Sequence, residues 1–191
     1  MSQTIADIHE KFMPLIGKDY TLPVTANKGL PGTFLEELLG IPHTSNCLDC
    51  SDGELKTFPV KRLKNGTLVP KESVAVTMLS KEELKQNDFQ ASKVCKKMNR
   101  MLIVPYLRTG DTVRFMTPRI IDKDAEGCLE LYAALEADYS EIKREYLATG
   151  VLKSKTGKFL QNRTKGAGHG STSRAFYLRP AFMKQCITLS S

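Results

Sequence analysis

Two acidic residues and a lysine lie close together in one short segment of the chain. Asp49 belongs to an acidic loop that ends at Gly53, and Glu54 and Lys56 open the alternating polar and apolar segment that follows. Alternation predicts a β-strand, whose side chains point to opposite faces in turn, so Glu54 and Lys56 should share one face. The turn-like loop can bring either Asp49 or Asp52 to the start of that strand.

Two carboxylates that converge with one lysine can hydrolyse a phosphodiester with the help of a metal ion. Mg²⁺ is usually held by one or two carboxylates together with substrate phosphate and water. Such a metal polarises the phosphate and lowers the pKa of a bound water, and an ammonium group can hold that water or neutralise charge on the phosphorus. The pattern of an aspartate followed by Glu-x-Lys is short and common, however, and it also fits an ordinary half-exposed strand with a Glu–Lys ladder.

Composition and charge narrow the class of protein. The 191 residues are 41% hydrophobic and 26% charged, which fits one globular domain over residues 1–191 with room for two lobes. The net charge of +7 favours a polyanionic partner. Five scattered cysteines without a signal peptide indicate a reduced, cytoplasmic chain, and no apolar run reaches the length of a membrane span.

Periodicity and turn residues predict an α/β protein with a mixed sheet flanked by helices. An Asn65-Gly66 turn predicts a hairpin whose returning strand is Ser73–Leu79. The basic C-terminal arm, about residues 151–180, is rich in Lys, Gly, Ser and Thr. The other expected elements are helices over 4–16, 31–39, 91–100 and 123–148, a short helix opened by Ser80, and a buried strand Met101–Leu107 paired with Val113–Met116.

Several motifs follow one another between residues 28 and 178. They are Lys28-Gly29-x-x-Gly32-x-x-x-Glu36-x-x-Leu39-Gly40, then Asp49 with Glu54-Leu55-Lys56-Thr57-x-Pro59-Val60, then Ser92-x-Val94-x-x-Lys97-x-x-Arg100-x-Leu102-x-x-Pro105, then Leu160-Gln161-x-Arg163-x-Lys165 and Phe176-Tyr177-Leu178. In these residues and their order the chain resembles the MutH family of the PD-(D/E)xK superfamily. That family comprises mismatch-repair nicking endonucleases and related GATC-cutting type II restriction endonucleases.

The resemblance implies a function and a fold. The expected function is a Mg²⁺-dependent, sequence-specific endonuclease acting on double-stranded DNA, with Mn²⁺ able to replace Mg²⁺. The expected fold is restriction-endonuclease-like, with two lobes that form a DNA cleft. A monomer with one site would nick one strand, and a DNA-induced dimer would cut both. The sequence does not choose between a type II restriction enzyme and a mismatch-repair nickase, and only a repair enzyme implies a partner ATPase.

The resemblance also assigns roles to individual residues. Asp49 and Glu54 would hold the metal, Lys56 would be the catalytic lysine, Glu36 the helix glutamate behind the site, and Lys97 a second lysine near the scissile phosphate. Three residues of the C-terminal arm would reach the DNA bases: Arg163, Lys165 and Tyr177. Lys28 of the first motif would be a further DNA contact. Arginine and lysine are the usual readers of guanine in the major groove.

Some alternatives stay open at the level of sequence. The loop before Glu54 is shorter than in the repair enzymes, so Asp52 competes with Asp49 as a metal ligand. Thr164 replaces the proline that the repair enzymes have, which leaves the recognition sequence and the effect of adenine methylation open. His169, in a Gly/Ser-rich loop, is expected to contact DNA or to be merely solvated.

Two further hypotheses come from other classes. His43-x(3)-Cys47-x(2)-Cys50 supplies three of the four ligands of a structural zinc site, but no second cysteine pair follows at the usual spacing. A protein that kept the nuclease fold only to bind DNA would need a disabled metal site. The expected acidic residues and lysines are all present, which favours the enzyme.

Overall fold

The computed structural model describes residues 3–42, 47–165 and 172–188. The chain forms two compact units. The first is built from the described parts of Met1–Glu72, Arg100–Ile121 and Cys186–Ser191, and the second from Ser73–Asn99 and Asp122–Gln185. Among the described residues, no helix is long and apolar enough to cross a membrane.

A mixed sheet is the centre of the first unit. Its strands are β1 (Asp19–Thr21), β2 (Glu54–Arg62), β3 (Leu68–Pro70), β5 (Arg100–Thr109), β6 (Thr112–Phe115) and β7 (Arg119–Asp122). The strand order is β1-β6-β5-β2-β3, and β7 pairs with β5 outside this path. The central pair β2 and β5 is parallel, whereas β2–β3, β5–β6 and β1–β6 are antiparallel.

Two helices cover one face of this sheet. They are α1 (Ile5–Phe12) and α2 (Leu30–Leu39). Their apolar stripes join residues of the strands in one core, which includes Ile8 of α1, Leu35 of α2, Leu55 of β2 and Leu102 of β5. Because Leu55 points into this core, its neighbours on β2 must point to the opposite face.

The second unit contains a smaller antiparallel sheet and a long helix. Its strands are β4 (Val74–Met78), β8 (Leu160–Thr164) and β9 (Arg174–Leu178), in the order β4-β9-β8. Its helices are α3 (Lys81–Gln86), α4 (Lys93–Met98) and α5 (Leu129–Thr149), and α6 spans Pro180–Thr188. Tyr139 of α5 stacks on Phe176 of β9, with ring centroids 5.6 Å apart.

A buried carboxylate joins α5 to the start of β8. The two oxygens of Asp138 accept hydrogen bonds from the backbone N–H groups of Lys158, Phe159 and Leu160 at 2.7, 2.6 and 2.8 Å. Backbone donors at the end of a strand need such partners when they are buried. Asp138 therefore supplies hydrogen bonds that neither the helix nor the sheet can provide.

The predicted mixed sheet flanked by helices is confirmed, as is the pairing of β5 with β6. Each predicted helix is present, but the one predicted over 123–148 begins at Leu129 and the one predicted over 91–100 spans Lys93–Met98. The prediction that Ser73–Leu79 is the strand returning from the Asn65-Gly66 turn is wrong. The turn closes at once, with Leu63 N–H donating to Thr67 O at 2.8 Å, so that Leu68–Pro70 pairs with β2 instead. Val74–Met78 is a strand, but it pairs with β9 in the second unit.

Candidate active site

Glu54 and Lys56 lie on the face of β2 that is turned away from the α1–α2 core. Lys56 Nζ donates to Glu54 Oε1 at 2.7 Å. The Glu54 side chain is only 1% exposed, whereas the Lys56 side chain is 22% exposed. The predicted shared face is therefore confirmed, and the pair has a buried carboxylate and an ammonium group that solvent can reach.

Asp49 is fixed to the start of the same strand. Its Oδ2 accepts a hydrogen bond at 3.0 Å from the backbone N–H of Leu55, the residue between Glu54 and Lys56. A carboxylate that binds the backbone of residue 55 is held beside the residues on either side. The structure thus brings Asp49 to the strand end where Glu54 and Lys56 begin.

Asp52, the competing carboxylate, has different partners. Its Oδ1 accepts from the backbone N–H of Ile5 at 2.7 Å, and its Oδ2 accepts from Arg100 Nη1 at 2.9 Å. These bonds tie the acidic loop to the start of α1 and to the start of β5. Asp52 therefore has a structural role that the sequence did not reveal, although Arg100 stands in one of the recognised motifs.

The glycine before Glu54 allows a close approach of two backbone segments. A Cβ atom at Gly53 would lie 2.4 Å from the carbonyl oxygen of Arg100 and 2.6 Å from Cγ1 of Ile5. No side chain fits at these distances, so only glycine lets the loop lie against the first residue of β5. The acidic loop, β2 and β5 therefore meet at this point.

The acidic loop creates a negative local field. Burial raises the pKa of the Cys50 thiol to about 12, and the charges of Asp49, Asp52 and Glu54 contribute to the rise. A zinc ion would have to displace the proton of this thiol, because zinc binds the thiolate. His43, the histidine of the zinc hypothesis, lies outside the described residues.

Carboxylate oxygens are the ligands that hard divalent cations prefer. Within residues 3–42, 47–165 and 172–188, no group of three or more His, Cys, Asp and Glu side chains gathers in a metal-binding arrangement. Mg²⁺ needs no such cage, because one or two carboxylates, water and substrate phosphate can complete its octahedral shell. Asp49 and Glu54 stay the predicted carboxylates of such a site.

The two remaining candidates of the catalytic set lie on helices. Glu36 is a half-buried residue of α2 in the first unit, and Lys97 is a half-buried residue of α4 in the second unit. Their expected roles beside Glu54 and Lys56 stay predictions. Gly32 of the first motif lets α2 approach β2 closely, because a Cβ atom there would lie 3.0 Å from Thr57 Oγ1.

The candidate DNA-binding residues occupy both units. Lys28, in the first unit, pairs with Glu72 at 2.8 Å and keeps 78% of its side chain exposed. In the second unit the guanidinium carbon of Arg163 lies 5.3 Å from the centre of the Tyr177 ring. Lys165 is exposed, and its backbone N–H donates to Ser173 O at 2.9 Å. His169 lies outside the described residues.

Residues 45–124 match the family model of the DNA mismatch repair enzyme MutH. The resemblance to MutH is confirmed over this segment. The MutH-like segment contains Asp49, Glu54, Lys56 and Lys97, whereas Glu36 and the residues of the C-terminal arm lie outside it.

A structural comparison gives one further neighbour. The restriction endonuclease MvaI, in a complex with its cognate DNA substrate, superposes with a TM-score of 0.47 and 11% sequence identity. The superposition covers 98% of this chain and 96% of that chain. No curated protein sequence matches this chain significantly.

Proposed function

We propose that this protein is a Mg²⁺-dependent endonuclease that hydrolyses phosphodiester bonds in double-stranded DNA, with Asp49, Glu54 and Lys56 at its active site. The observation that carries the proposal is the Glu54–Lys56 pair on one face of β2, with Asp49 bound to the residue between them. This arrangement lies inside the MutH-like segment.

Asp49 and Glu54 are the residues that would hold Mg²⁺ or, in its place, Mn²⁺. When bound, the metal supplies Lewis-acid polarisation of the phosphate and a water of lowered pKa. The protein supplies geometry. The bond from Leu55 N–H fixes Asp49, and the ion pair with Lys56 fixes the buried Glu54 carboxylate. Both carboxylates are therefore oriented before a cation arrives.

Lys56 has the position and the exposure of a group that acts on the substrate. Its ammonium is held 2.7 Å from Glu54 Oε1, and the side chain still reaches solvent. From there it can orient the attacking water and neutralise the charge that develops on the phosphoryl oxygens. Glu54 holds this ammonium in place. Lys97 remains the proposed second lysine of the catalytic set.

DNA binding relies on the basic character of the chain. The net charge of +7 favours association with a polyanion. Lys28, Arg163, Lys165, Tyr177 and His169 are the proposed DNA-contacting residues. Each lysine or arginine that binds a phosphate should lower the logarithm of the affinity by roughly 0.9 for every tenfold rise in salt.

The role in the cell follows from how the substrate is cut. A monomer would nick one strand, as a mismatch-repair enzyme activated by a partner ATPase would. Two copies gathered on DNA would cut both strands, as a type II restriction enzyme would. A GATC-type recognition sequence is part of this proposal for either role.

The test is a time course on supercoiled plasmid with Mg²⁺, on adenine-methylated and unmethylated DNA in parallel. Glu54→Gln and Lys56→Met should each slow cleavage by roughly 10²–10³-fold or more, because each removes charge placed at the reacting phosphate. Glu141→Gln, on the exposed side of α5, is the matched control and should cut like the wild type. Asp49→Asn should abolish cleavage in a folded protein, whereas Asp52→Asn should mainly lower stability.

The products distinguish the possible roles. Discrete linear fragments would identify a restriction-type enzyme, and open circles alone would identify a nickase. A wild-type protein that binds the plasmid in a gel shift but cuts in neither Mg²⁺ nor Mn²⁺ would refute the catalytic proposal. That result would favour a DNA-binding protein that kept only the fold.

A further inference from the structure

The hairpin of β8 and β9 presents two different faces. Arg163 lies opposite Ala175, and Gln161 lies opposite Tyr177. Because side chains alternate along a strand, Arg163 and Tyr177 are diagonal neighbours on one face, and the 5.3 Å contact between them agrees with this. Asn162 and Arg174 are diagonal neighbours on the other face.

Arg174 forms hydrogen bonds with Asn162, the residue of β8 that precedes Arg163. Its Nε donates to Asn162 Oδ1 at 2.7 Å, and its Nη2 donates to Asn162 O at 3.3 Å and to Ser154 Oγ at 3.0 Å. One guanidinium therefore binds both the side chain and the main chain of Asn162. Such a planar fork restrains direction as well as distance, which a lysine ammonium cannot do.

Asn162 is itself held in place by burial and by a second hydrogen bond. Its side chain is fully buried, at 0% exposure, and its Nδ2 donates to Lys153 O at 3.1 Å. Amide oxygen and amide nitrogen are thus both used, which leaves the side chain one orientation. The backbone that leads into Arg163 is consequently fixed from the face opposite to the Arg163 side chain.

The partners of Arg174 differ from those expected of a surface ion pair. Within the described part of the chain they are an amide, a carbonyl and a hydroxyl, and no carboxylate is among them. The positive charge of Arg174 is partly buried without a counter-charge, which normally costs stability. Its hydrogen bonds offset that cost only in this geometry, so the arrangement restrains β8 strongly.

We propose that Arg174 is a positioning residue for DNA sequence recognition. Acting through Asn162, it holds β8 so that the Arg163 guanidinium stays over the Tyr177 ring and meets a base edge in one orientation. The inference rests on the proposed function, and it deepens that function by naming the residue that makes base reading selective. Arg174 itself contacts no base in this proposal.

The test compares Arg174→Lys with Arg179→Lys. Arg179 is a matched control because its Nη2 binds the same preceding loop, at Ser154 O and Thr156 O, but has no bond to Asn162. Both substitutions keep the charge and replace a guanidinium with an ammonium, but only Arg174 binds Asn162 through two of its nitrogens. The substrate is a pool of DNA duplexes with a randomised centre, selected by binding without added divalent cation so that cleavage is not required.

The expected result is a loss of selectivity with little loss of affinity. For Arg174→Lys the preference for the sequence that the wild type enriches should fall about tenfold or more, since a well-placed bidentate base contact discriminates by about that factor. The salt dependence of binding should not change, because no phosphate contact is removed. Arg179→Lys should enrich the wild-type sequence.

A double-mutant comparison separates positioning from loss of folding. Arg163→Ala should also reduce selectivity, and adding Arg174→Lys to it should cause no further loss, because nothing then remains to be positioned. If the lysine variant unfolds in thermal denaturation, Arg174→Gln keeps one amide donor toward Asn162 and takes its place. Additive losses in the double variant would overturn the proposal.

The remaining outcomes are equally decisive. If Arg174→Lys enriches the wild-type sequence with unchanged preference, Arg174 is not a positioning residue, although DNA recognition stands. If the wild type enriches no sequence, there is no base reading to position and the inference fails. The plasmid assay still decides independently whether the protein is a nuclease.

Discussion

Gly53→Ala should disrupt the active site by a steric effect alone. The added Cβ atom would lie 2.4 Å from Arg100 O and 2.6 Å from Ile5 Cγ1, well inside van der Waals contact. The Ile5 side chain can move slightly, but Arg100 O belongs to the backbone of β5. Relief therefore requires that the acidic loop and β5 separate.

The size of the effect follows from the contacts that such a separation disturbs. Overpacking a well-packed site costs about 1–3 kcal/mol. In a chain of this length each kcal/mol lowers the melting temperature by roughly 2–4 °C, so the expected decrease is about 2–12 °C. Cleavage should suffer more than stability, because the displaced segment carries Asp49 and Glu54.

Thermal unfolding followed by circular dichroism measures the first effect, and plasmid cleavage well below the melting temperature measures the second. Gly127→Ala is the matched control, because a Cβ atom there would meet nothing within 4 Å. It should melt at the wild-type temperature or slightly above, since alanine lowers the entropy of the unfolded chain. If Gly53→Ala has the same melting temperature as Gly127→Ala and cuts DNA at the wild-type rate, the close approach at Gly53 does not exist in solution.

Two other predictions concern stability. Asp138→Asn should lower the free energy of unfolding in urea by roughly 3 kcal/mol or more, because the amide replaces one oxygen of a buried carboxylate that binds three backbone N–H groups; an unchanged urea midpoint would contradict this. The hydrogen bond from Arg114 holds the pKa of Asp19 below its ordinary value, so the pair stabilises the fold above the ordinary carboxyl pKa and loses that effect as the pH falls through the lower folded pKa. The melting temperature of Asp19→Asn should therefore lie below that of the wild type at pH 7. The gap should narrow as the pH falls below about 4 and close only below the folded pKa; a gap that widens in acid would show that the sign is wrong.

The sequence is most informative where a side-chain pattern alone decides the geometry. The spacing of Glu54 and Lys56 predicts a shared face because strand periodicity is fixed by covalent geometry. The apolar run from Met101 likewise predicts a buried strand, because a strand that is covered on both faces carries apolar side chains at every position. These predictions depend on local rules, and the structure agrees with both.

Pairing between distant segments is harder to predict. The Asn65-Gly66 turn correctly indicates a hairpin, yet Leu68–Pro70 and Val74–Met78 both have the composition of a returning strand. The choice depends on how tightly the turn closes and on β9, which lies about a hundred residues further along the chain and offers Val74 its partner Leu178. No local pattern contains that information.

The two aspartates of the acidic loop show the same limit at the level of a single side chain. Both precede Glu54 closely and have identical chemistry, so spacing cannot assign one to a metal and the other to the fold. Their partners can. Asp52 binds Arg100 and the first N–H of α1, contacts that secure the loop, whereas Asp49 binds the backbone between Glu54 and Lys56. The two aspartates therefore differ in position. Asp52 holds the loop against α1 and β5, and the proposal takes Asp49 as the metal ligand because it binds the backbone between Glu54 and Lys56.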